Sequence, residues 1–133
     1  MSYVLERLSS GSGLKEQGTA GANLSQYKLV YMNSAGVYLY ANASSEDTMP
    51  AIAITLESIP QGRQGSLLFF GLINNNNWDF TPGQLLYMDA VEGNISSTPP
   101  SQPGHQIQII GKALQQTLII FNPSYMLVGV GDA

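Results

Sequence analysis

The sequence predicts an all-β chain: a small β-barrel or two-layer β-sandwich with an internal pseudo-twofold repeat, preceded by an extended amino-terminal arm. Three observations carry this expectation. Leu29-Val-Tyr-Met-Asn33 returns as Leu85-Leu-Tyr-Met-Asp89, and a glycine turn follows each copy, at Ala35-Gly36 and at Glu92-Gly93. Each copy then crosses a polar, proline-bearing stretch into a second apolar run, Met49-Pro-Ala-Ile-Ala-Ile-Thr-Leu56 or Gln106-Ile-Gln-Ile-Ile-Gly-Lys-Ala-Leu114. It closes on a third run, Ser66-Leu-Leu-Phe-Phe70 or Thr117-Leu-Ile-Ile-Phe121. Beyond the amino terminus no segment sustains helical spacing.

Residues 1–26 read as the arm and 27–133 as the β domain. In the arm, Ser9-Ser-Gly-Ser-Gly13 and Gly18-Thr-Ala-Gly-Ala22 are linker-like, and the apolar residues Val4, Leu5, Leu8 and Leu14 are few. A single helical turn there would be marginal by itself. Two readings stand: an end without fixed structure, or an arm that orders by docking on a neighbouring subunit through those four residues.

The domain's elements follow in order. Residues 27–32 and 37–41 flank Asn33-Ser-Ala-Gly36, whose Asn and Gly supply the backbone a hairpin turn needs. Residues 51–56 include the β-branched Ile52, Ile54 and Thr55 and sit behind Pro50. The continuous apolar run 65–73 belongs in a strand that is central or buried on both faces. Asn74-Asn-Asn-Asn77 is a loop tip, followed by Trp78, Phe80 and the turn Thr81-Pro-Gly83. Residues 84–89 and 94–97 form the matching hairpin, and Ser97-Thr-Pro-Pro-Ser-Gln-Pro-Gly104 is too proline-rich for a ladder. Residues 106–114, 117–121 and 125–130 complete the set. Gln106-Ile-Gln-Ile109 alternates polar and apolar, as a half-exposed strand would. Gly71 and Gly111 mark places where a strand bends or another backbone comes close.

At 133 residues the chain is one domain, long enough to bury a core without disulfides or metal. It has no cysteine, which removes disulfide, thiolate-metal and thiol redox chemistry. Charged residues make up 11%, against about 25% in an ordinary globular protein. Asn, Gln, Ser, Thr and Gly fill the gap, giving a neutral surface suited to packing against copies of itself or another protein. Net charge is -4, and Lys15, Lys28, Arg63 and Lys112 are scattered, so no basic stripe exists to neutralise a phosphate backbone. No nucleic-acid partner is expected. No run has signal-peptide or bilayer-crossing character, so the expectation is a soluble protein made in the cytoplasm, without a membrane partner.

Catalytic chemistry finds little support, and the chain is expected to be no enzyme, with no cofactor and no metal. His105 stands alone in a Pro-Gly-His-Gln turn, without a second ligand or a nucleophile. Glu46-Asp47 and Glu57 lack the spacing of a calcium loop and read as solubilising. Asp89 occupies the place of Asn33 and should initiate a turn. Gly62-Arg-Gln-Gly65 is too short to cradle a phosphate. Tyr31 and Tyr87 are equivalent in the repeat, and their hydroxyls are expected to anchor each hairpin to a neighbouring turn. The segment most open to binding is 74–80. Asn75, Asn76, Asn77 and Trp78 could form a glycan or partner contact, with the indole stacking on a sugar ring and the amides reaching hydroxyls. The plainer alternative is that Trp78 and Phe80 plug one end of the barrel while the asparagines form its rim.

The second half, Thr81-Pro-Gly-Gln-Leu-Leu-Tyr-Met-Asp-Ala-Val-Glu-Gly-Asn-Ile-Ser-Ser-Thr-Pro-Pro100 with Gln106-Ile-Gln-Ile-Ile-Gly-Lys-Ala-Leu114, resembles a module of tailed-bacteriophage structural proteins. The shared pattern is a Gly-x-x-Leu-Tyr strand, a Gly-x-Ile-Ser/Thr turn, a Thr-x-Pro loop and an Ile-Gly-x-Ala-Leu strand. It is similar to that of head-decoration (capsid cement) proteins, head fibres and some tail-fibre segments. Val30-Tyr-Met-Asn-Ser-Ala-Gly36 and Gly71-Leu-Ile-Asn-Asn75 fit it too, so the likeness spans roughly residues 27–121. The resemblance implies a virion protein on the capsid surface that acts by assembly. Its partners would be itself, as a homotrimer, and the phage major capsid protein. The other reading it leaves open is a carbohydrate- or receptor-binding module of a tail or fibre. It carries over no catalytic residue.

Overall fold

The computed structural model describes residues 12–131. Its strands are β1 (Ser12–Thr19), β2 (Leu29–Met32), β3 (Tyr38–Tyr40), β4 (Ala53–Thr55), β5 (Gln64–Asn74), β6 (Leu85–Met88), β7 (Ile95–Ser96), β8 (Gln106–Ile107), β9 (Ile109–Ala113), β10 (Leu118–Phe121) and β11 (Val128–Gly129). The only helical element among the described residues is one 3-10 turn, Glu46–Thr48. The chain is all-β, its main antiparallel sheet curled into a half-barrel.

Sheet order is β3-β2-β4-β5-β10-β9-β6-β7, which reads the same from either end. One half runs hairpin β2/β3, then β4, then β5; the other runs hairpin β6/β7, then β9, then β10. The halves join where β5 and β10 pair antiparallel. The three repeated runs of the sequence thus occupy equivalent strands, β2 with β6, β4 with β9 and β5 with β10.

The two hairpin turns share their chemistry as well as their place. Asn33 Oδ1 accepts from Ala35 N at 3.0 Å and Val37 N at 3.2 Å, and Asp89 Oδ1 accepts from Val91 N at 3.3 Å. Asn33 N donates to Val37 O, and Asp89 N to Asn94 O, at 3.0 and 3.1 Å. Gly36 and Gly93 take φ of 81° and 75°, the left-handed region that a side chain resists. Asp89 therefore serves as a turn residue.

β5 is central. Leu67 and Leu68 are both fully buried, on opposite faces and in different clusters. The larger cluster fills the space between the halves with Leu29, Ile54, Leu68, Ile73, Leu86, Met88, Ile110, Ile119 and Phe121. The smaller one holds Ala20, Leu24, Val30, Tyr38, Ala53, Ile59 and Leu67. It exists because β1 runs along β5 and the chain just after it meets β3: Ala20 bridges Tyr38, and Gly21 N donates to Tyr38 O at 2.8 Å. Strands β1, β5, β4, β2 and β3 so wrap around that core.

One local expectation fails. The Ser/Gly-rich stretch read as linker contains the eight-residue strand β1, paired antiparallel with β5 from Ser12↔Leu72 to Thr19↔Gln64 with one register shift between Leu14 and Lys15. Its small residues permit close approach: a Cβ on Gly18 would lie 2.5 Å from the Tyr38 ring and 2.6 Å from a Leu67 methyl. The alternation expected at 106–109 is present, and its phase, which the sequence left open, places the glutamines inward. Gln106 and Gln108 are buried while Ile109 is 40% exposed. Gln108 turns inward because the backbone there needs partners: its Oε1 accepts from Ala51 N at 2.9 Å, and its Nε2 donates to Ala51 O at 2.8 Å and Ser124 O at 2.7 Å.

Candidate functional site

Two surfaces are candidates, a polar groove and an apolar sheet face. The groove begins with Thr55, a buried residue of β4 that organises the 25–28 loop through both backbone and hydroxyl. Tyr27 N donates to Thr55 O, and Thr55 N to Lys28 O, each at 2.9 Å. Lys28 N donates to Thr55 Oγ1 at 2.9 Å, and that hydroxyl donates to Ser25 O at 2.6 Å. The clamp holds Tyr27 at φ 64°, and among the described residues no other non-glycine residue has positive φ. Such a conformation costs a tyrosine about 1–2 kcal/mol. It turns the phenol toward Trp78, ring centroids 5.7 Å apart at 60°.

Trp78 and Phe80 stand 5.7 Å apart at 45°, both partly buried and packed on the main core. Trp78 is therefore a core residue along part of its ring while the rest helps form the groove wall. Tyr27, Lys28, Asn75, Asn77, Trp78 and Asn94 are among the residues lining a groove of about 520 Å³. Lys28 Nζ donates to Asn94 Oδ1 at 2.7 Å, which ties these two lining residues of the groove together.

The asparagine run divides its labour. Asn75 is nearly buried and shapes the turn: its Oδ1 accepts from Asn77 N and its carbonyl from Trp78 N, both at 3.0 Å. Asn76 is exposed, accepts from Asn74 Nδ2 at 3.0 Å, and is not part of the groove wall. Of the four residues singled out by sequence, Asn75, Asn77 and Trp78 come together. Tyr27, Lys28 and Asn94 were missed, for they belong to other segments and carry no local signal.

The apolar face lies on the outer side of β1, β5, β10, β9 and β6. Registers Leu14↔Phe70, Leu72↔Ile120, Ile120↔Lys112 and Leu85↔Lys112 place these side chains on one surface. Leu14 is 59% exposed, Phe70 47%, Leu85 45% and Ile109 40%. In the first half the outer side is covered by the small core beneath β1 and β3. The second half has no matching cover among the described residues. Of the proposed docking-arm residues, Leu14 sits on β1 at this face; Val4, Leu5 and Leu8 lie outside the described residues.

The remaining polar candidates have structural occupations. Glu57 Oε2 accepts from Ser66 N at 2.8 Å, pinning β5. Ser45 Oγ accepts from Asp47 N at 3.1 Å at the start of the 3-10 turn. His105 sits in its turn partly buried, its Nδ1 lacking a hydrogen-bond partner among the described residues. Among the described residues, the tyrosine hydroxyl seen to anchor a neighbouring loop is that of Tyr40, accepting from Ser25 N at 2.8 Å, and none of the hydrogen bonds among them uses the Tyr31 or Tyr87 hydroxyl. Among the described residues no three His, Cys, Asp or Glu side chains are grouped to hold a metal, and no helix is long and apolar enough to cross a membrane. No protein-family model and no curated protein matches this chain.

Proposed function

We propose that this chain is a non-enzymatic structural protein of a bacteriophage virion, decorating and stabilising the capsid through self-association and contacts with the major capsid protein. The observation that carries the reading is the uncovered outer face of the sheet, where Phe70 on β5 and Leu85 and Ile109 of the second half are each at least 40% exposed and Lys112 stands beside Leu85. Several large apolar side chains exposed together on one sheet face of a folded domain suit contact with another surface. A chain with only 11% charged residues adds little repulsion to such a contact. The sequence resemblance supplies the setting: the outer surface of a phage head, with protein made in the host cytoplasm and assembled as a trimer. The mechanism is mechanical. Apolar area buried at about 25 cal/mol per Å² across junctions between capsid subunits opposes their separation.

Sedimentation velocity on the purified chain, paired with co-sedimentation on expanded capsids, tests this. Self-association together with capsid binding supports it. A strictly monomeric protein that ignores capsids ends it. A second reading, a carbohydrate- or receptor-binding module of a tail or fibre, is favoured by the Tyr27–Trp78 groove.

A further inference from the structure

From the make-up of the Tyr27–Trp78 groove we infer that it binds an acidic sugar: a hexuronate-type residue of a surface polysaccharide, its ring against Trp78 and its carboxylate on Lys28. The inference deepens the second reading above and is independent of the capsid-decoration reading.

Four features point the same way. The groove offers about 520 Å³, within the usual range for small-molecule sites, which suits one or two sugar rings. The indole and the Tyr27 ring stand tilted at 60°, an angled apolar wall for the C–H face of a pyranose. Asn77 and Asn94 present amides, which both donate and accept and so match vicinal hydroxyls. Among the described lining residues Lys28 is the cation, and no carboxylate faces it. In a chain of net charge -4 that is a local reversal of sign. Asn94 Oδ1 takes one of the three ammonium protons, leaving donors for a carboxylate.

The wall is also pre-formed. Tyr27 is held at φ 64° by the Thr55 clamp rather than by any ligand, so binding need not order that loop. A backbone kept in a sparsely populated region by its surroundings is a common mark of a working site.

Trp78 is the only tryptophan, so its emission reports the groove directly. The experiment titrates the full-length chain with a tetrasaccharide of alternating hexuronate and N-acetylhexosamine, and in parallel with its carboxyl-reduced form. Emission and heat are both followed. The expected result is a saturable response to the uronate form and one at least about tenfold weaker to the reduced form, as loss of a charge-assisted bond implies. Lys28→Gln should abolish that preference while leaving the unfolding midpoint close to wild type, and Asn77→Ala should weaken both forms. Trp78→Phe retains an apolar ring at the core and serves where Trp78→Ala fails to fold; calorimetry then replaces emission. No response to either sugar up to about 10 mM, beyond the millimolar range of weak binding, overturns the inference. Equal responses to both forms overturn the acidic class. Capsid binding without a sugar response would sink this inference and leave the decoration reading standing; the converse pair of results would do the opposite.

Discussion

Gly13 and Gly71 face each other across β1 and β5, and each occupies the space that a side chain on the other would need. A Cβ on Gly13 would lie 2.7 Å from Gly71 Cα, and one on Gly71 would lie 2.8 Å from Gly13 Cα. Both have positive φ, 148° and 142°. The contact holds the stretch that leads into the smaller core against the central strand.

Gly71→Ala should therefore destabilise by about 3 kcal/mol or more, from strain plus collision with the β1 backbone. Gly36→Ala is the control: its φ is 81°, yet nothing lies within 4 Å of the added methyl. It should cost about 1–2 kcal/mol, from the left-handed backbone alone. Urea denaturation of both variants checks the ranking; equal losses would remove the packing argument for Gly71.

Gln108 joins the two halves through Ala51, which precedes β4 as Gln108 precedes β9. Gln108→Met keeps the volume but strands the buried Ala51 N–H and C=O. A loss of about 2–4 kcal/mol is expected, since each unsatisfied group costs about 1–3 kcal/mol. Chemical denaturation measures it, and amide exchange at Ala51 should quicken if the bond is lost as described.

The apolar outer face should matter for association more than for folding. Leu85→Gln with Ile109→Gln changes two side chains that are 45% and 40% exposed. Stability should fall by no more than about 1 kcal/mol. On the proposed self-association, sedimentation velocity should show the double variant shifted toward monomer relative to the parent chain. An unchanged oligomer places the contact elsewhere.

Alkaline pH should weaken the smaller core. Burial raises the Tyr38 hydroxyl above the ordinary tyrosine value of 10.0, and Tyr125 adds to the rise. In the unfolded chain that phenol ionises near 10, so the folded state prefers the neutral form. The contribution is complete below pH 10 and is lost as pH climbs through the raised folded value. Tyr38→Phe should flatten this part of the stability profile, measured as urea midpoints from about pH 8 to about pH 11, a span that brackets the ordinary tyrosine value.

The class of fold, the repeat and the two hairpins were legible in the chain because their signals are local. Asn33 to Gly36 and Asp89 to Gly93 encode their turns within five residues, through side-chain acceptors and positive φ. The unbroken run at the heart of β5 announced a strand covered on both faces, as Leu67 and Leu68 are. Period is local; phase is not. Alternation around Gln106 and Gln108 required a strand but could not say which set faces inward, because that depends on the distant Ala51 and Ser124 backbone. β1 was hidden for a related reason. Pairing uses the backbone, and the glycines that resemble a linker are those that a tight approach to Gly71, Tyr38 and Leu67 demands. The groove likewise unites Tyr27, Trp78 and Asn94, which only the meeting of the two halves brings within reach of one another.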